Sequence, residues 1–394
     1  MPSPVIVSAC RTAIGKFGRS LVGVQAQRLG SVVIGEALRR AGVKKTSVDE
    51  VIMGNVVSAG LGQNPARQAA IYAGIPPRVG AVTVNKVCGS GLKAVMLAAQ
   101  SVKAGDNSVV VAGGMESMSN SPYLVRNLRW GLKYGDARLV DAMISDGLWD
   151  AYKNYHMGIT GEIIAKRFRI TRREADEFAY ESHMKAARAA REGLFRDEIV
   201  PVEIERESGA VETFEKDECV RPDTTQEKLA ALKPVFKPGG ILTAGNSSQL
   251  SDGASALVIT SDEYAERAGL KPIARIVAYN TGGVRPELVM EAPIPTTREL
   301  LRKAGMSIEE IDLFEHNEAY STASIAVRRE LGVDEKKFNV KGGAVALGHP
   351  IGCSGARVLT TLLYSLRQRR KRYGLATLCL GGGNAVSMIV ESIL

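Results

Sequence analysis

Aromatic residues and long apolar runs are both scarce in this sequence. Phe, Trp and Tyr make up 5% of the 394 residues, and no uninterrupted apolar segment approaches the roughly 18–20 residues that cross a bilayer. Zinc-finger, RRM and helix-turn-helix patterns are also missing, which disfavours nucleic acid as a partner. The net charge of +9 instead suits a polyanionic small molecule. We therefore expect neither a membrane nor a nucleic-acid partner.

Cysteines are few as well. The sequence has five, at positions Cys10, Cys88, Cys219, Cys353 and Cys379. Their odd number and wide spacing disfavour a disulfide framework, and they do not occur at metal-ligand spacing. Together with the lack of a signal peptide, this predicts a reducing compartment, a cytoplasmic location and no metal site.

Glycine, by contrast, is abundant at 41 residues and marks an internal repeat. The stretch at residues 88–93 resembles residues 352–357, and residues 109–114 resemble residues 376–382. The two copies are offset by roughly 260–268 residues, which predicts one structural unit used twice. Each copy alternates strand and helix patterns, as expected of a sheet covered by helices.

The segment around Cys88 joins a β-type run to a helical pattern. Residues 79–87 read as a strand, and apolar positions recur at helical spacing over residues 92–102. Cys88 is therefore predicted at a strand-to-helix junction, where the helix N-terminus favours the nucleophilic thiolate. The stretch by itself is equally compatible with a buried cysteine that serves as a small apolar side chain.

Three segments of the second copy end in groups with catalytic chemistry. Asn317 follows a strand pattern, although asparagine is also a common helix N-cap. His349, between a glycine and a proline, suits the general base of a thiol, with a structural histidine as the alternative. Cys379 ends a strand pattern before a triglycine, whose N–H groups, Gly381 among them, suit an oxyanion. A buried cysteine before a turn is the alternative there.

Taken together, these segments resemble the thiolase family along essentially the whole chain. The matching stretches are residues 9–12, 84–96, 113–118, 156–158, 221–225, 317–319, 342–355 and 379–383. The resemblance implies an α/β thiolase fold, in which duplicated βαβαβαββ halves form a five-layer αβαβα sandwich with an inserted loop domain. The implied first half comprises residues 1–118 and 250–271, the CoA-binding loop domain residues 119–249, and the second half residues 272–394.

The resemblance also implies a role for each candidate. Cys88 corresponds to the nucleophile that carries the acyl group as a thioester, His349 to the base that takes its proton, and Cys379 to a second acid/base. Asn317 with His349 would hold one thioester oxygen, and the N–H groups of Cys88 and Gly381 the other. An unperturbed thiol has a pKa near ~8.5, so modest tuning makes it a usable base. The family needs no cofactor and no metal, because CoA is itself substrate and product.

Contacts to CoA thioesters follow from the same resemblance. The matching positions are Arg221, Ser248, His156, Met157, Leu148, Ala319 and Tyr320. The chain departs from the family pattern at Tyr320, where phenylalanine is usual, and in the stretch that begins at Met290. Both departures bear on the acyl pocket and therefore on chain-length preference.

The implied reaction is a reversible Claisen condensation of two acetyl-CoA to acetoacetyl-CoA and CoA, an acetyl-CoA C-acetyltransferase activity of fatty-acid metabolism. The family also implies a homotetramer, a dimer of dimers. A broad-range degradative 3-ketoacyl-CoA thiolase (acetyl-CoA C-acyltransferase) is the alternative, because residues 246–249 are more like that type. The second cysteine, Cys379, argues against a decarboxylating condensing enzyme. A CoA-binding scaffold without turnover is disfavoured because both Cys88 and His349 are present.

Overall fold

The computed structural model describes residues 2–205 and 208–393 of the chain. In its first half, the main elements in chain order are β1 (Pro4–Thr12), α1 (Ala26–Ala41), β2 (Glu50–Gly54), α2 (Pro65–Tyr72), β3 (Gly80–Val84), α3 (Ser90–Ala104), β4 (Val109–Ser117) and, after a long insertion, β5 (Ser251–Ser261). These strands lie side by side in the order β1–β5–β4–β2–β3. Strand β3 is shorter than the predicted run 79–87, because the chain turns out of extended conformation before Cys88.

The insertion supplies three helices and several short strands. Its helices are α4 (Gly158–Arg167), α5 (Arg172–Arg191) and α6 (Gln226–Ala230). Its strands form three hairpins, Tyr123–Val125 with Leu139–Asp141, Trp149–Asp150 with Tyr155–His156, and Val202–Glu205 with Val211–Phe214. Helix α5 begins at a capping box, in which the Thr171 hydroxyl accepts the Glu174 N–H and the Glu174 carboxylate accepts the Thr171 N–H.

The second half repeats the strand order of the first. Its elements are α7 (Asp262–Arg267), β6 (Ala274–Gly283), α8 (Pro293–Ala304), β7 (Leu313–His316), α9 (Ser321–Leu331), α10 (Ala344–Leu347), α11 (Ile351–Arg369), β8 (Tyr373–Leu380) and β9 (Asn384–Ser392). The order β6–β9–β8–β7 matches β1–β5–β4–β2, with the same sequence of antiparallel and parallel pairings. The duplication predicted from the sequence is confirmed, whereas the residue boundaries of the three domains stay a prediction.

Three apolar cores separate the layers of the molecule. The first lies between α1 and α2 and the sheet of the first half. The central core surrounds α3 and α11 and faces both sheets, and the third lies between the sheet of the second half and helices α8 and α9. The two sheets are joined where β1 pairs with β6, at Val5 with Arg275 and Ile6 with Ala274. The layers therefore alternate as αβαβα, as predicted.

The two central helices cross at glycines. A Cβ atom on Gly355 of α11 would lie 2.4 Å from the backbone nitrogen of Leu92 in α3, and one on Gly91 would lie 2.7 Å from the backbone nitrogen of Ala356. Real side chains do not tolerate such approach, so glycine on both helices permits the contact. This crossing brings the N-termini of α3 and α11, which follow Cys88 and His349, close together.

Candidate active site

Cys88 lies in the turn between β3 and α3, as predicted. The preceding residue, Val87, has φ 48, an unusual conformation for a β-branched side chain. The turn is held by the Ser90 hydroxyl, which donates to the Val87 carbonyl at 2.6 Å and accepts the Lys86 N–H at 2.8 Å. Backbone strain of this kind persists only where surrounding contacts enforce it, and it is common at functional sites. The turn places Cys88 directly before the first turn of α3.

The resting Cys88 side chain is a neutral thiol. Burial raises the pKa of the Cys88 thiol to about 11, while the N–H groups of Gly381 and of Cys88 itself act in the opposite direction. The helix N-terminus therefore does not produce a free thiolate, because desolvation of the charge outweighs it. This agrees with the expectation from the family resemblance that a base, His349, takes the Cys88 proton.

His349 is held in the tautomer that such a base requires. Its Nδ1 atom lies 2.5 Å from the Ser354 Oγ atom. The Ser354 hydroxyl donates its only proton to the Pro350 carbonyl at 2.9 Å, so it must accept from Nδ1–H. The Nε2 atom consequently carries the lone pair. Burial, followed by the charge of Arg357, lowers the pKa of His349 to about 3, so the imidazole is neutral near pH 7.

Asn317 lies next to this base, at the end of β7. Its Nδ2 atom is 3.4 Å from His349 Nε2. Its Oδ1 atom is buried and has no hydrogen-bond partner within the described ranges 2–205 and 208–393. A buried amide oxygen without a partner is costly unless it binds a ligand or a water. Asn317 is not the helix cap, because α9 begins beyond it with Tyr320 at the N-cap position.

Cys379 lies near the end of β8, beside the turn that holds Cys88. Its Sγ atom lies 3.7 Å from the Met290 Sδ atom. Burial raises the pKa of its thiol far above the usual range, and the charge of Cys88 raises it further. Gly382 and Gly383, with φ 84 and φ 86, then reverse the chain into β9. The structure thus brings the two predicted cysteines, one from each half, within electrostatic range of each other.

A cavity of about 430 Å³ reaches His349, whereas Cys88, Cys379 and Asn317 are not among the residues that line it. Its wall includes six of the predicted residues, namely Leu148, His156, Arg221, Ser248, Tyr320 and His349. Arg221 is positioned by a 3.0 Å hydrogen bond to the Gln249 side chain. Met157 and Ala319 do not line the cavity. Met157 packs in the third core, and the Ala319 carbonyl accepts the Ser248 N–H at 3.0 Å.

Two residues of the site were not predicted. Ser354 belongs to the repeated stretch at residues 352–357. A serine five residues after His349, in the first turn of a helix, is the signal that could have identified it as a partner of the histidine. Glu116, at the end of β4, accepts the Gly352 N–H at 2.8 Å and the Asn55 side-chain amide at 2.8 Å. It therefore ties the first half to the first turn of α11, and burial raises the pKa of its carboxyl to about 7.

Comparisons with known proteins agree with this geometry. Residues 4–263 match the family model "Thiolase, N-terminal domain" and residues 270–392 match "Thiolase, C-terminal domain". An acetyl-CoA acetyltransferase of Cupriavidus necator is 52% identical over 99% of this chain and 100% of the relative. One of Escherichia coli is 50% identical over 100% of both chains. A relative of Staphylococcus epidermidis named "Probable acetyl-CoA acyltransferase" is 48% identical over 98% of each.

A solved structure extends the likeness to three dimensions. The crystal structure of the Bacillus anthracis acetyl-CoA acetyltransferase superimposes with a TM-score of 0.98 at 43% identity, and the match covers 100% of this chain and 99% of that one. The likeness therefore includes the fold of both halves and of the insertion. With matching family models over nearly its whole length, the chain belongs to the thiolase family.

Proposed function

We propose that this protein is an acetyl-CoA acetyltransferase, which converts two acetyl-CoA reversibly to acetoacetyl-CoA and CoA. One observation carries the proposal: the thiols of Cys88 and Cys379, from opposite halves of the fold, lie within electrostatic range of each other in a protein whose buried, neutral His349 contacts Asn317. Full-length relatives with about half of their residues identical bear the same name. A degradative thiolase of broad chain length is the alternative.

The first half-reaction forms the acyl-enzyme. His349 Nε2 takes the Cys88 proton, and the sulfur attacks the carbonyl carbon of acetyl-CoA. The oxyanion lies against the N–H groups of Cys88 and Gly381, both of which already point at the sulfur. When the tetrahedral intermediate collapses, the C–S bond to CoA breaks, and the imidazolium of His349 returns its proton to the leaving CoA thiolate.

The second half-reaction forms the carbon–carbon bond. His349 Nε2 first takes the proton of Cys379, and the resulting Cys379 thiolate removes a proton from the methyl carbon of a second acetyl-CoA. The Asn317 amide and the protonated Nε2 of His349 then stabilise the enolate oxygen. The enolate carbon attacks the acetyl group on Cys88, the bond between that group and the Cys88 sulfur breaks, and the sulfur takes its proton from His349. Cys379 keeps the proton that it abstracted, so all three groups return to their starting protonation. In thiolysis the same steps run backwards.

We propose that the polypeptide binds its substrate without the help of a cofactor. Arg221 is proposed to lie near the nucleotide of CoA and Ser248 near its pantetheine arm, since both line the cavity. Leu148, His156 and Tyr320, which line the cavity, are proposed to surround the acyl end, whereas Met157 and Ala319 do not line it. We propose that no cofactor takes part, because a thioester acidifies its α-carbon enough for a thiolate base. Dialysis against a chelator should leave the activity unchanged.

We also propose a cytoplasmic homotetramer, a dimer of dimers, that acts in fatty-acid metabolism. In the described residues, no helix is long and apolar enough to cross a membrane, and all five cysteines are free. The insertion exposes Trp130 at 80% and Tyr134 at 101%, together with Leu128 and Leu132. Apolar side chains this exposed mark an interaction surface. Light scattering should give the tetramer mass, and replacing Trp130 and Leu132 by serine should give dimers.

The proposed activity is tested by thiolysis with CoA and 3-ketoacyl-CoA substrates of four to sixteen carbons. We expect activity with acetoacetyl-CoA, a sharp fall beyond it, and acetylation of Cys88 detectable by mass. Cys88→Ser should abolish turnover, whereas Cys10→Ser, in the first core, should retain it. Comparable rates on long substrates would establish the degradative alternative. Unchanged activity in Cys88→Ser would refute the assignment of the site.

A further inference from the structure

One wall of the cavity is an aromatic stack that ends at Tyr320. The Tyr320 ring meets the edge of Phe236 with centroids 5.7 Å apart and planes at 82°. Phe236 in turn stacks on His156 at 4.8 Å and 20°. All three rings line the cavity that holds His349. The stack is therefore a surface against which an acyl group lies.

The hydroxyl group of Tyr320 is the polar end of this wall. It makes no hydrogen bond to any residue in the ranges 2–205 and 208–393, and unlike the Tyr155 hydroxyl it is not sealed in the interior. The ring itself is only 7% exposed, so the hydroxyl opens into the cavity. Burial raises the pKa of the Tyr320 phenol, and the charges of Cys88 and Cys379 raise it further, so the phenol lies within electrostatic range of both sulfurs.

The ring is backed by α4 on one side. A Cβ atom on Gly161 would lie 3.1 Å from it, so the backbone of α4 packs directly against the ring. The next residue is held as well, because Ser321 N–H donates to the Asn246 carbonyl at 3.0 Å. Tyr320 also forms a β-bridge with Ser247. The phenol is therefore a fixed part of the cavity wall.

We propose that the Tyr320 hydroxyl is a polar stop that restricts this enzyme to short acyl groups. An acetyl or acetoacetyl group leaves the hydroxyl within reach of water. An alkyl tail laid against the wall removes that water and leaves the hydroxyl without a partner, which is unfavourable. Phenylalanine at position 320 has no hydroxyl, so an alkyl tail laid against it would leave no polar group without a partner. The inference rests on the proposed function, and it assigns the binding of the acyl group to this aromatic wall.

The test compares Tyr320→Phe with wild type. Thiolysis of acetoacetyl-CoA and of 3-ketohexanoyl-CoA gives the ratio of kcat/KM for the six-carbon over the four-carbon substrate. We expect Tyr320→Phe to raise this ratio about tenfold, within the range that leaving one buried hydroxyl without a partner produces. Tyr373→Phe, which removes a phenol hydroxyl at the far end of β8, is the matched control and should leave the ratio unchanged.

A second measurement is independent of turnover. In a Cys88→Ala background, calorimetry gives Kd for acetyl-CoA and for hexanoyl-CoA with Tyr or Phe at position 320. The preference for acetyl-CoA should fall by the same factor in the Phe variant. Ratios that stay within about twofold in both measurements would overturn the inference, as would a hundredfold loss of acetoacetyl-CoA thiolysis, which would make the hydroxyl part of the chemistry. An inactive wild type whose Kd ratio still shifts would refute the proposed function alone.

Discussion

The Nδ1 atom of His349 and the Oγ atom of Ser354 are 2.5 Å apart, and the direction of this hydrogen bond is settled by a third group. Because the Ser354 hydroxyl donates to Pro350, it can only accept from the imidazole. The lone pair of His349 therefore stays on Nε2, beside Asn317. The serine acts through the histidine, as a positioning residue.

We expect Ser354→Ala to lower kcat/KM for acetoacetyl-CoA thiolysis by about 10- to 100-fold, the size typical of losing a residue that orients a site ligand or base. The tautomer and the ring orientation would no longer be enforced. The rate at which iodoacetamide alkylates Cys88 should fall in parallel near pH 7, because proton removal by His349 is impaired, and recover at high pH.

Ser365→Ala is the matched control for that experiment. Ser365 lies on the same helix, is 1% exposed, and its hydroxyl has no hydrogen-bond partner in the described part of the chain. Its removal should leave both rates unchanged. If Ser354→Ala also left them unchanged, the proposed tautomer control would be wrong.

The two half-reactions should separate in Cys379→Ser. A serine hydroxyl is too weak an acid to form the required base, so carbon–carbon bond formation should slow by about 10²–10⁴-fold. Transfer of a labelled acetyl group from acetyl-CoA to Cys88 should continue, because that step uses His349. Cys219→Ser removes another buried thiol and should affect neither step. An equal loss in acetyl transfer would contradict the assigned role of Cys379.

Replacing glycine by alanine should have opposite effects on stability at the crossing of the central helices and within α1. Gly355→Ala places a Cβ atom 2.4 Å from the Leu92 nitrogen, and such overpacking costs about 1–3 kcal/mol. Gly35→Ala, within α1, meets no atom within 4 Å and should stabilise the helix by about 0.5–1 kcal/mol. Thermal unfolding should show a lower Tm for the first variant and a raised Tm for the second. A raised Tm for Gly355→Ala would refute the close crossing.

Glu315 makes stability depend on pH. Burial raises the pKa of its carboxyl to about 8, and both carboxyl oxygens lack a hydrogen-bond partner within residues 2–205 and 208–393. Between the ordinary pKa and about 8 the unfolded chain releases this proton and the folded chain keeps it. The contribution of Glu315 to the free energy of unfolding is therefore complete at low pH and is lost as the pH rises through that interval.

Glu315→Gln cannot ionise, so it should become more stable relative to wild type between pH 5 and pH 8, by at least about 1 kcal/mol. Calorimetric Tm values at the two pH values measure this shift. Exposed Glu192→Gln should show none. If Glu315→Gln became less stable relative to wild type as the pH rises, the folded protein would hold Glu315 ionised.

Several features of the site could be predicted from single segments. The helix after Cys88, predicted at residues 92–102, forms as Ser90–Ala104, because its apolar positions recur at helical spacing. The repeat predicted two similar halves, since equal patterns fold into equal units. The ionisation state of Cys88 could not be predicted in this way. Burial in the folded protein raises its pKa, whereas the N–H groups of the distant Gly381 and of Cys88 itself lower it.

The sequence by itself determined the main elements and the duplicated architecture and supplied the candidate reactive side chains, because these depend on local patterns and on residue chemistry. Only the tertiary structure decided how they act together. It brings Cys88 and Cys379 from opposite halves into electrostatic range, selects the tautomer of His349 through Ser354, and opens the Tyr320 hydroxyl to the cavity. Each of these depends on contacts between residues far apart in the chain, which no local pattern encodes.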